Sequence, residues 1–181
     1  MIYTIGHSTR TAEEFINLLR GVNTELLVDV RRFPGSRRYP QFGRDALRAS
    51  LEAVGIQYLH APELGGRRKA TPDSPNTYFR VESFRAYADY MAEPDFQHAL
   101  AALIERDASI TQTIMCAEAV PWRCHRNLIS DALVARGVTV RHIVSAAEPH
   151  PHVLNPAARL VDGHLVYSKP SDAQTGLFGR T

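Results

Sequence analysis

The chain alternates five short, apolar, strand-forming runs with stretches of helical periodicity, and this alternation constrains the fold more than any other feature. The runs are "IYTIG", "ELLVDV", "IQYLH", "QTIMC" and "VTVRHIV". Between the first two, Thr11 and Glu14 have capping-box spacing ahead of Phe15, Leu18 and Leu19, with Gly21 as a stop. "RDALRASLEAV" is the second helix, with Leu47, Leu51 and Val54 on one face. Residues 83–106 hold two more, divided near Glu93–Pro94, since proline suits the first turn of a new helix. "CHRNLISDALVAR" precedes the fifth run and stops at Gly137. Near the end, "ARLVDGHLVYS" sets Asp162–Gly163 between two alternating runs, a hairpin signal.

Strands alternating with helices imply right-handed crossovers and a mostly parallel sheet covered on both faces. A closed barrel needs about eight such units, more than the chain provides. The expected fold is α/β: a single-domain three-layer sandwich with a mostly parallel sheet and a C-terminal β-hairpin. With 181 residues one domain is expected, its core spanning about 1–145 and a C-terminal extension about 146–181. In that extension the "HPH" of His150–His152 reads as an unstructured approach to the hairpin.

No apolar run reaches membrane-spanning length, and "MIYTIGHSTR" lacks the build of a signal peptide, so no membrane partner is expected. Only two cysteines are present, which argues against a secreted disulfide scaffold and for free thiols in a reducing cytoplasm.

Chemistry-bearing residues cluster where the strands end. The first run leads to His7 and Ser8, the second to Asp29 and Arg31, and the third to His60 and then Glu63, Gly65 and Gly66. The fourth delivers Cys116 and Glu118, and the fifth carries His142. In an open parallel α/β sheet that carboxyl edge is where ligands bind. After the fourth strand, "MCAEAVPWRCHRN" packs Cys116, Glu118, Arg123, Cys124, His125 and Arg126 into one junction. A helix opening near Pro121–Cys124 would hold Cys124 and His125 in its first turn, where free amides and the helix dipole favour a thiolate or a bound anion. A metal site at Cys116, Glu118, Cys124 and His125 is a further reading, although C-x₇-C-H is not a standard zinc spacing and the adjacent arginines oppose a cation. The phosphatase C-x₅-R spacing fails by one residue between Cys116 and Arg123. A redox pair would require the two sulfurs to meet across the loop.

"DVRRFPGSRRYPQFGR" interleaves Arg31, Arg32, Arg37, Arg38 and Arg44 with Phe33, Tyr39 and Phe42, a combination suited to phosphates and stacked bases. Asp29 is placed to orient Arg31 through a bidentate bond. "ELGGRRK" adds two glycines that let backbone approach a phosphate. It is neither a Walker nor a dinucleotide fingerprint, and no cofactor is expected.

The segments "YTIGHS", "LVDVRRFPGSRRYPQF", "LGG", "CAEAVPWRCHRNLI" and "VRHI" together resemble the bacterial and archaeal family known as domain of unknown function four-eight-eight, over Tyr3 to about Ile143. The resemblance carries the family's pattern onto His7, Ser8, Asp29, Arg31, Ser36, Arg37, Gly65 and Gly66. It continues onto Cys116, Glu118, Cys124, His125, Arg126 and His142. It implies a small cytoplasmic α/β protein whose strand-end residues share one site, and it names no substrate.

The functional expectation is an enzyme acting on a small phosphorylated or nucleotide-type ligand. Arg31, Arg37 and Arg126 would bind the anion with Asp29, Ser8, Gly65 and Gly66. Cys124 would supply the nucleophile or thiolate, His7 or His125 would carry protons, and Glu118 would orient or act as base. The alternative is a non-catalytic nucleic-acid-binding module built on loop 31–44.

Overall fold

A computed structural model describes residues 1–35 and 37–168; Ser36 and the end of the expected extension, 169–181, lie outside the described residues. The elements run β1 (Ile2–Gly6), α1 (Ala12–Arg20), β2 (Leu26–Asp29), α2 (Arg44–Glu52), β3 (Gln57–His60), α3 (Glu82–Tyr90) and α4 (Pro94–Arg106). They continue with β4 (Gln112–Cys116), α5 (Arg126–Val134), β5 (Val140–Ile143), β6 (His150–Pro151), β7 (Ala158–Val161) and β8 (His164–Tyr167).

One sheet has the order β3-β2-β4-β1-β5-β6, with β1 to β5 parallel and β6 antiparallel to β5. The fold is α/β, and the C-terminal hairpin is the two-stranded β7–β8 sheet. β2 and β4 are buried at every position, as central parallel strands covered on both sides must be. Phe15, Leu19, Leu47 and Leu51 of α1 and α2 pack on one face. Tyr87, Phe96, Leu100, Leu128 and Leu133 of α3, α4 and α5 pack on the other, completing three layers.

Local signals explain the element ends. Thr11 and Glu14 form the capping box of α1, and Pro94 opens α4. Asp162 and Gly163 both take positive φ, 49° and 82°, the conformation a two-residue hairpin turn demands.

Two expectations need correction. His150–Pro151 is a sixth strand rather than unstructured chain, and His152 beyond it is tied down by Asp131. Pro121 opens a separate 3₁₀ turn, Pro121–Arg123, while α5 begins only at Arg126. Cys124 is extended (φ −133°, ψ 147°) and His125 is the residue preceding the helix, so neither sits in its first turn. Among the described residues no helix is long and apolar enough to cross a membrane.

Candidate active site

The site forms at the seam between β1 and β4, where Gly6 lies opposite Cys116. From β1 the chain leaves to the α1 face, and from β4 to the α5 face. Neighbouring strands with oppositely directed connections open a crevice at their carboxyl ends. Here it is a cleft of about 710 Å³, lined by strand ends, the arginine loop, the glycine loop and α3.

At its floor three donor groups converge. Cys116 ends β4, Cys124 follows the 3₁₀ turn, and His125 precedes α5. Cys116 Sγ, Cys124 Sγ and His125 Nδ1 all lie within 4.8 Å of one another. Nδ1 is 3.7 Å from the Cys124 sulfur and 4.0 Å from that of Cys116. The far ring nitrogen, Nε2, donates to the Val30 carbonyl at 3.3 Å. That bond leaves Nδ1 with its lone pair towards the sulfurs in the neutral ring. The ring also packs beside Tyr87, with centroids 5.1 Å apart.

Both thiols are buried and free. Their mutual hydrogen bond pushes Cys116 well above the ordinary thiol range, helped by burial. The same bond, with the nearby Arg126 charge, holds Cys124 well below it against the cost of burial. The first proton therefore leaves from Cys124.

One wall is built on Asp29. Its carboxylate takes a fork from Arg31, Nε at 2.8 Å and Nη2 at 2.6 Å, and a third bond from the Tyr58 hydroxyl at 2.7 Å. Asp29 itself does not line the cleft; it aims Arg31, which does. The remaining guanidinium nitrogen, Nη1, donates to His7 Nε2 at 3.4 Å. His7 can accept because its Nδ1 donates to the Ser8 carbonyl at 2.9 Å and its ring stacks on Phe42. Burial and the nearby Arg31 charge lower the His7 pKa to about 4, so the ring is neutral at pH 7. Ser8 lines the cleft in a left-handed conformation, φ 51°.

The other residues singled out by sequence divide by position. Glu118 lines the cleft. Arg126, expected as an anion ligand, is fully buried and outside the lining. It is a strut: its Nη1 donates to Thr4 Oγ1 at 3.2 Å and its Nη2 to the carbonyls of Glu118 and Ala119. Gly6 leaves room for that arrangement, because a Cβ there would fall 1.8 Å from the Glu118 carbonyl oxygen. Arg37 is exposed and outside the lining, whereas Arg32 and Arg38 of the same loop are within it.

Gly66 lines the cleft and Gly65 does not. Both glycines serve packing: a Cβ on Gly65 would meet the Arg32 backbone at 2.8 Å, and one on Gly66 would meet His125 Nδ1 at 3.1 Å. His60 and His142 also lie outside the lining, bonded instead to the Arg31 carbonyl and to Thr4. Sequence reasoning missed Phe84 and Tyr87, and it took Arg67 only as one of three basic residues in the glycine loop. Arg67 stood beside the quoted glycines, and the α3 residues carried no signal beyond helical periodicity.

These features define a class: an open parallel α/β protein with a basic cleft at the carboxyl edge of its sheet and a cysteine–histidine centre at the floor. Within that class the chain belongs to the family described as Domain of unknown function DUF488, whose sequence model matches residues 11–133. No curated protein and no solved structure matches it at a significant level.

Proposed function

We propose that this protein is an enzyme, a hydrolase or transferase, that takes a small phosphorylated or nucleotide-type substrate into the cleft and acts on it from the cysteine–histidine floor. One observation carries the reading. Arg31, Arg32, Arg38, Arg67 and Arg123 line the same cleft as Cys116, Cys124 and His125, against a single acidic residue, Glu118. Four of these guanidinium groups, those of Arg32, Arg38, Arg67 and Arg123, make no ion pair among the described residues, and around one hollow they concentrate anions. Arg31, its fork closed on Asp29, keeps only its spare Nη1 and Nη2 N–H groups for a phosphate oxygen. Arg32 over Phe33 and Arg38 over Tyr39 form cation–aromatic pairs suited to a nucleobase. Cys124 supplies the thiolate and Glu118 the carboxylate that moves a proton.

In chelator-treated Cys116→Ser protein at neutral pH, iodoacetamide is expected to alkylate Cys124 rapidly, and a nucleoside monophosphate to slow that reaction at least tenfold. Equal rates with and without the nucleotide would overturn the reading.

The second reading, a nucleic-acid-binding module, is favoured by the exposure of Phe33 and Trp122, 64% and 66%. Steeply salt-dependent binding of single-stranded oligonucleotides, with no protection of Cys124 by mononucleotides, would select it.

A further inference from the structure

We propose that Cys116 Sγ, Cys124 Sγ and His125 Nδ1 together bind one zinc-class divalent cation, leaving its fourth position open to the cleft. The binding itself stands on its own observations; what the metal does there rests on the cleft being the active site.

The donor atoms are already grouped. Ligands at zinc's usual bond lengths and tetrahedral angles stand about 3.5 Å apart for nitrogen and sulfur and about 3.8 Å for two sulfurs. The observed Nδ1–Sγ separations of 3.7 and 4.0 Å need only a few tenths of an ångström of closure. The donor type also fits, because two thiolates and an imidazole suit a borderline-soft ion and disfavour magnesium or calcium.

The imidazole is prepared as a ligand should be. Metal-binding histidines characteristically donate their other N–H to a carbonyl or carboxylate, which fixes the tautomer and ring orientation. His125 does so to Val30, and Gly66 leaves the space beside Nδ1 free of a side chain.

The neighbouring arginines oppose a cation less than their number implies. Arg31 is neutralised by Asp29, and Arg123 is exposed. Arg126 makes no ion pair among the described residues, and two thiolates beside it supply the missing negative charge. The C-x₇-C-H spacing, unlike that of small zinc modules, is closed by a strand end meeting the residue before a helix.

All three ligands line the cleft, as does Glu118, which is not one of them. Two cysteines and one histidine with an open position form a catalytic rather than a structural zinc set. Water there loses its proton near neutral pH. Glu118 accepts that proton, the hydroxide adds to the electrophilic phosphorus or carbon of the substrate, and Glu118 returns the proton to the departing group. The sum is hydrolysis with no change of oxidation state. Nucleobase deaminases likewise pair a His/Cys/Cys zinc with a glutamate that is not a ligand.

The test uses the full chain, purified without metal-affinity resin or chelator. Elemental analysis is expected to give one zinc per chain. Cobalt(II) replacement is expected to give a thiolate-to-cobalt charge-transfer band. Ellman's reagent should find two reactive thiols after chelation and neither after zinc is restored. His125→Gln should weaken zinc at least 100-fold, whereas exposed His98→Gln should not change it. Two freely reactive thiols in excess zinc, with no cobalt band in the wild-type chain, would overturn the proposal whether or not the variants fold. Equal affinity in folded His125→Gln protein would do the same. A cobalt band that nucleoside monophosphate leaves unchanged, with Cys124 also unprotected in the alkylation experiment, would uphold the metal and sink the substrate reading.

Discussion

Asp29 and Arg31 set the terms at the level of single residues. Both are buried, and Asp29 accepts from Arg31 and Tyr58 at once. Removing one partner of such a pair strands a charge in a low dielectric, which costs about 3–5 kcal/mol. Asp29→Asn is therefore expected to lower the urea midpoint sharply. Arg31→Lys keeps the charge but loses the fork, so it should weaken phosphate-ligand binding about tenfold by calorimetry while lowering stability less. Gly6→Ala tests a steric statement. A methyl 1.8 Å from the Glu118 oxygen forces the 117–120 segment to move, and overpacking of this kind typically costs about 1–3 kcal/mol. The same substitution should disturb the cysteine–histidine floor, read as a changed rate of thiol alkylation.

Among elements, α1 gives the simplest check. Its capping box makes both reciprocal bonds, 2.8 and 3.1 Å, so Thr11→Ala should cost about 1 kcal/mol in denaturant unfolding. The strands, the capping box and the Asp162–Gly163 turn were legible because each is written in local periodicity or turn chemistry. The start of α5 was not. Proline commonly opens helices, yet Pro121 opens a 3₁₀ turn, and no Ser, Thr, Asp or Asn stands before Arg126 to mark the true start. β6 was equally hidden, because two residues, one of them proline, show no period. Strand-end reasoning placed His7, Arg31, Glu118 and the cysteines in one cleft. It could not foresee that Arg126 points beneath the floor rather than into it, since that direction is set by packing against Thr4 and the 118–119 carbonyls.

Across the whole molecule, a buried polar chain joins strands, helix and hairpin. Thr4 of β1 bonds His142 of β5 at 2.7 Å, His142 bonds His152 at 2.9 Å, and His152 bonds Asp131 of α5 at 2.8 Å. Tyr167 of β8 donates to the other Asp131 oxygen at 3.0 Å. Arg126 donates to Thr4, so the Thr4 hydroxyl donates onward and each imidazole needs only one N–H. Burial, with the Arg126 charge nearby, lowers the His142 pKa from 6.5 to about 3. Below pH 6.5 the unfolded chain takes up a proton that the folded chain refuses. Stability is therefore expected to fall as pH drops from 6.5 towards 3, with His142 contributing up to about tenfold per pH unit in the folding equilibrium and the similarly lowered His7 adding to it down to about pH 4. Urea midpoints measured across that window should decline, and His142→Asn should flatten the slope. A final consequence concerns Trp122, the chain's one tryptophan, which sits two residues before Cys124 with its indole in water. Its emission comes from the span that links the two sulfurs, so anything drawing that span inward alters colour and intensity at a single address. The molecule carries its own unlabelled optical gauge of whether the hollow is filled.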